Sequence, residues 1–265
     1  MCILKESFLE STVRTFVVLS LILAPSACAA NLDNSKREKP VSLTTEDRLA
    51  IELLDEYRET LSEFSSETEN LAYLKWIGQL HFHIGNLSKD RRSIKKAVDI
   101  FQKVLEKEPD NAEIMAFLGS AYTIKARDFP MKWVANLTPL GFMRLHYVEK
   151  GINKMDAAIE MDEMNPVVRL IRGIACVNIS RPFGQFDKGI KDIEVLLSWI
   201  ENPSLNNRYA GIIKDRDFIA NVYYRTGVAY LKKDEKENAI SMFKMTASIN
   251  PDTPYGKAAL RRLND

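Results

Sequence analysis

The sequence predicts an all-α chain in which antiparallel helix pairs follow one another along the polypeptide. Three observations lead there. The stretch from Tyr223 to Pro251 has the residue spacing of one helix-turn-helix unit, and looser copies of that spacing precede it. Only 11 Gly and 10 Pro occur in 265 residues, beside a high but balanced charge, as suits a helical protein.

The last unit is the most regular. Small Gly227 and Ala239 fall where two helices approach closely, Tyr223, Tyr230 and Phe243 fill the space between them, and Pro251 stops the second helix. In order, Tyr223, Gly227, Tyr230, Ala239, Phe243 and Pro251 stand at the W, G, Y, A, F and P positions of a tetratricopeptide repeat (TPR). The chain therefore resembles that family, with Thr226 at the family's leucine. The resemblance implies a right-handed, TPR-like solenoid of about four helix pairs, capped at both ends, that serves as a binding scaffold.

With that unit as a ruler, repeats fall near 71–111, 112–164, 165–203 and 220–253. The first has Leu74, Ile77, Gly78, His81 and Gly85 in its leading helix and Ala97, Phe101, Val104 and Pro109 in its trailing one. Its loop between Gly85 and Ala97 is expected to be about seven residues longer than the pattern allows. The second has Met115, Leu118, Gly119 and Tyr122, and its trailing helix comes late, with Gly151, Met155 and Ala158. The third begins after Pro166 with Gly173 and Cys176 and continues through Gly189, Ile193 and Leu196.

Both ends of the array carry expected caps. Thr44 and Asp47 have capping-box spacing, and Ala50, Leu53, Leu54, Tyr57, Leu61 and Phe64 follow at helical intervals. That helix is expected to pack on the first repeat. Residues Tyr255 to Leu263 read as a closing helix, since terminal repeats would otherwise expose apolar faces. One domain over 44–265 follows.

The amino terminus reads as a targeting segment at 1–27, followed by a flexible tether at 28–43. The run FVVLSLILA from Phe16 to Ala24 suits a secretory signal better than a membrane span. Cleavage before Cys28 would make that cysteine the lipidation site of a bacterial lipoprotein; cleavage after Ala29 would release a soluble exported protein. The polar run Asn31 to Lys39 favours the tethered form. Glu6 and Glu10 oppose the usual positive charge ahead of a signal, so translation is expected to begin at Val13.

Chemistry leaves few marks. There is no HExxH, CxxC, GxSxG or phosphate-binding glycine loop, and a net charge of +1 argues against general nucleic-acid affinity. His81 and His83 stand about 200° apart on a helix, which cannot make a metal pair. His146 and Glu149 share a face without a third ligand. Cys176 reads as a buried small hydrophobe. No cofactor, metal or catalytic residue is expected.

The interruption at 127–146 is the unusual part. It carries Phe129, Trp133, Leu137, Leu140, Phe142 and Met143 among the breakers Pro130, Pro139 and Gly141. Such apolar content predicts core, a ligand or partner pocket, or lipid contact. A second irregular loop at 180–186 contains Phe183 and is expected on the same side. Phe129, Trp133, Leu137, Phe142, Met143 and Phe183 are thus the candidate contacts. Two functions stay open: a non-enzymatic cell-envelope adaptor that binds a protein or peptide in a TPR groove, or a small-ligand protein whose apolar pocket the insertion closes. The second is similar to the TPR lipoproteins associated with some bacterial solute transporters. Membrane attachment would come through the amino terminus.

Overall fold

In the computed structural model, residues 45–62, 70–129, 139–179 and 183–264 are described, and among them every regular element is helical. The elements are α1 (Thr45–Ser62), α2 (Leu71–Ser88), α3 (Arg91–Lys107), α4 (Ala112–Arg127), α5 (Pro139–Met161) and α6 (Pro166–Asn178). Then come α7 (Phe186–Glu201), a 3-10 turn (Pro203–Tyr209), α8 (Ala210–Ile213), α9 (Arg216–Lys232), α10 (Lys236–Ile249) and α11 (Pro254–Asn264). Four pairs result: α2 with α3, α4 with α5, α6 with α7, and α9 with α10.

Each leading helix starts the same way. Asn70, Asn111, Asn165 and Asp215 adopt extended backbone and accept from the free N–H groups of the first turns of α2, α4, α6 and α9. Such caps satisfy donors that have no partner within the helix. The leading helices are buried nearly all round: in α2, every residue from Trp76 to Leu87 is buried. Trailing α3 is amphipathic instead, burying Ile94, Ala97, Val98, Phe101 and Val104 on one stripe. The pattern places leading helices inside and trailing helices outside.

Glycines set how closely the pairs approach. A Cβ on Gly78 would lie 2.7 Å from the ring of Phe101, and one on Gly227 would lie 2.6 Å from that of Phe243. The first and last pairs therefore use the same glycine-on-phenylalanine contact. In the second pair, glycine meets glycine: a Cβ on Gly119 would lie 2.7 Å from the Gly151 carbonyl oxygen. Gly173 and Gly189 face each other in the third pair. Ala97, Tyr122, Tyr223 and Ala239 are buried, Tyr230 is half-buried, and Pro251 follows α10.

Three sequence expectations need correction. The long loop between Gly85 and Ala97 does not exist: α2 runs on to Ser88, α3 starts at Arg91, and only Lys89 and Asp90 link them. The additional residues lengthen both helices, and Lys89 turns the chain in the left-handed region at φ 57°. The 127–146 interruption is also shorter than expected, because α5 already begins at Pro139, a residue whose fixed φ suits a first helical position. Phe142, for which burial in the core was one expectation, is 75% exposed, and Met143 is 48% exposed.

Hydrogen bonds between helix ends show that the leading helices run side by side in the same direction. At their starts, Asn165 Nδ2 donates to Glu113 Oε1 at 3.0 Å, joining α6 to α4. At their ends, Arg127 Nη1 donates to Asn86 Oδ1 at 2.8 Å, joining α4 to α2, while Lys232 Nζ donates to Asn178 Oδ1, joining α9 to α6. The described residues flanking both irregular loops, at the ends of α4 and α6, therefore lie on one edge.

The terminal helices do more than cover ends. Helix α1 packs on α2, α11 packs on α10, and α11 also packs on α1. Leu53 and Tyr57 from α1 share one core with Trp76, Leu80, Ile84 and Leu87 from α2, Tyr224 from α9, Phe243 from α10 and Tyr255 from α11. The array thus closes on itself.

Candidate functional site

With inner helices buried and the ends joined, two surface depressions formed by described residues lie on the outer side, over α3, α4 and α5. Leu105, Glu106 and Pro109 from the end of α3 form one wall, Met115 and Leu118 of α4 the apolar floor, and Lys150 and Lys154 of α5 the other wall. Its volume is about 450 Å³. A second depression of about 500 Å³ continues along α5 past His146, Glu149, Asn153 and Ala157, and both share Lys150 and Lys154.

One end of this groove carries stacked aromatic rings. Tyr122 and Tyr147 stack with ring centroids 6.1 Å apart and planes 13° from parallel. Lys150 Nζ lies 4.4 Å from the Tyr122 centroid, and Lys125 Nζ lies 4.4 Å from that of Tyr147. A Lys-Tyr-Tyr-Lys column results, held by attraction of each ammonium to a ring face. Gln102 Nε2 also donates to the Tyr122 hydroxyl at 3.3 Å, tying α3 into it. The arrangement offers apolar floor, fixed aromatic edge and cationic rim, which suits a chain segment or ligand with apolar groups and negative charge.

A charged cluster elsewhere works differently. Asp192 of α7 is 1% exposed and accepts from Arg172 Nε at 2.7 Å and Nη2 at 2.9 Å, and from Arg169 Nη1 at 3.0 Å. Arg172 and Lys188 both reach Asp156 of α5. Three helices are pinned by groups that use their charges on one another, so this cluster is a clamp. Cys176 beside it is buried, and burial pushes its thiol up to about 12, so it has little thiolate character.

Phe129 and Phe183 are half-buried, Phe142 and Met143 stand exposed on the first turns of α5, and Trp133, Leu137 and Cys28 lie outside the described residues. The groove residues Lys150, Lys154, Met115 and Leu118 were not nominated from sequence as binding residues. A lysine pair at i and i+4 on one helix marks a shared face, but nothing in the sequence alone sets it beside α3. Tyr122 was read only as structural. His81 and His83 are both buried, and among the described residues no three His, Cys, Asp or Glu side chains gather as a metal site. No described helix is long and apolar enough to cross a membrane. No family model matches this chain, and neither curated proteins nor solved structures match it.

Proposed function

We propose that this chain is a TPR-like scaffold of the cell envelope that binds a protein segment without chemistry, and that the binding surface is the outer groove between α3 and α5. The single observation that carries this reading is the pairing of an apolar floor, Met115 and Leu118, with the lysine rim of Lys150 and Lys154. The buried leading helices leave little inner surface for the groove that tetratricopeptide proteins commonly present, which favours the outer one. An amino-terminal signal with Cys28 supports export and a lipid anchor. The partner segment would carry carboxylates for the rim and one or two apolar side chains for the floor.

The test is site-specific cross-linking in envelope membranes from a photoreactive residue placed at Gln102 or Asn153. A single cross-linked protein is expected, and Lys150→Glu with Lys154→Glu should lower its yield at least tenfold. Lys244→Glu on α10 should leave it unchanged. Equal yields from all three proteins, or cross-linking only from control positions on α10, would refute the groove. Retention of a small molecule instead, seen by native mass spectrometry, would favour a ligand-binding role.

A further inference from the structure

The first turns of α5 present an apolar surface that the groove does not use. Phe142 is 75% exposed, and Met143 and Leu145 are each 48% exposed, three of the largest apolar exposures among the described residues. A single exposed apolar residue would need no explanation, but three within four positions form a patch.

The surroundings of the patch say what it meets. Arg144 Nε donates to the Ala126 carbonyl oxygen at 3.2 Å, which sets the start of α5 beside the end of α4. Arg127 ties the end of α4 to the end of α2, and α3 starts two residues beyond α2. One edge therefore combines Phe142, Met143 and Leu145 with the exposed cations Lys89, Arg91 and Arg92 and the half-exposed Lys125 and Arg144. At the neighbouring ends of α2, α3, α4 and α5 the described acids are engaged internally: Asp90 accepts from the first turn of α3, and Asp128 pairs with Arg127. The far ends of the same helices carry more acid than base, with Asp110, Glu113, Glu160, Asp162 and Glu163 against Lys103 and Lys107, although Asp162 pairs with Arg208 and Glu113 accepts from Asn165. Charge is thus separated along the helix axes.

We propose that this edge rests on an anionic lipid surface. Phe142 and Met143 enter the layer between headgroups and acyl chains, while the arginines and lysines meet lipid phosphates. An apolar group flanked by cations is the combination that favours the interface of such a membrane, because the apolar side chain leaves water while the basic residues meet the anionic surface potential. The acidic edge faces away. A protein partner would have no need of cations spread over the ends of four helices, whereas a planar anionic surface reaches all of them. The inference is independent of which segment fills the groove.

The experiment places a fluorescent reporter at each end of α5 in the full chain: Phe142→Trp on the proposed contact edge and Met161→Trp, 44% exposed in the wild type, on the acidic edge. Vesicles contain equal phosphatidylglycerol and phosphatidylcholine with brominated acyl chains, and quenching is read as the difference from the parent chain. Phe142→Trp should be quenched at least twofold more than Met161→Trp, and the excess should vanish when Arg91 and Arg92 are changed to Glu or phosphatidylglycerol is omitted. Equal quenching at both positions would overturn the proposal, because a lipid anchor at the amino terminus alone does not orient the domain. So would quenching indifferent to phosphatidylglycerol. Leu145→Trp supplies a second reporter should Phe142→Trp perturb folding, which circular dichroism checks.

Discussion

His83 shows how much a single residue reports about the interior. It is fully buried between the rings of Tyr57, Phe82 and Phe117, with centroids 5.2, 5.0 and 6.0 Å away. Burial, reinforced by the nearby Arg225 cation, lowers its pKa from 6.5 to about 3. The folded chain thus holds a neutral imidazole where the unfolded chain takes up a proton below pH 6.5. Between pH 6.5 and 3 the unfolded state binds more protons, so His83 stabilises fully above that window and progressively less as pH falls through it. Urea denaturation of wild type and His83→Phe should show the difference: the variant should lose less stability on acidification, by a few kcal/mol at about pH 4. Parallel acid limbs would show that His83 titrates normally. Asp192 illustrates the opposite case, a buried charge whose two arginine partners make its burial tolerable.

At the scale of elements, the glycines decide how tightly each pair packs, and they are not equivalent. Gly119→Ala sets a methyl 2.7 Å from the Gly151 carbonyl oxygen, backbone that cannot turn away, so α4 and α5 must separate. Gly173→Ala meets its nearest atoms at 3.3 Å, where a small adjustment of Asp192 and Ile193 suffices. The first should destabilise by about 1 to 3 kcal/mol. For the second, the gain of about 1 kcal/mol from replacing helical glycine should offset the crowding. Thermal melts of both variants give the comparison, and equal losses would show that the contact distances do not govern the cost. Helix identity and pairing were legible in the sequence because Gly227, Ala239 and Phe243 have fixed spacing within one pair. Element lengths were less so: α2 and α3 lengthen where a loop was expected, since residues 86–88 and 91–96 continue the helices on either side of the Lys89–Asp90 turn. The start of α5 was missed because Pro139 and Gly141 read as breakers, although proline is at home in a first helical turn. The groove was hidden because its walls come from different pairs.

For the whole molecule, the contact between α1 and α11 is the feature that sequence periodicity does not encode. Repeats inform on neighbours, and these helices lie at opposite ends of the described chain. A linear array would confine the loss of α11 to α10 and α9. Here Tyr255, Ala258 and Ala259 share a core with Leu53, Tyr57 and residues of α2. Ending the chain after Asp252 should therefore cost more than about 3 kcal/mol, the loss expected on emptying a large aromatic site. Amide exchange in α2 should quicken along with that in α10. Protection in α2 that survives the truncation would show that the seam adds nothing to the array.

Closure also fixes a number. An open row of helix pairs can gain or lose a unit by duplication or deletion, and each length remains a sound structure. In this chain an added pair would carry α11 away from α1, and a missing pair would leave no room for both. Copy number is therefore set by closure: four pairs bring α11 onto α1, and such a protein can grow only by lengthening helices or enlarging loops.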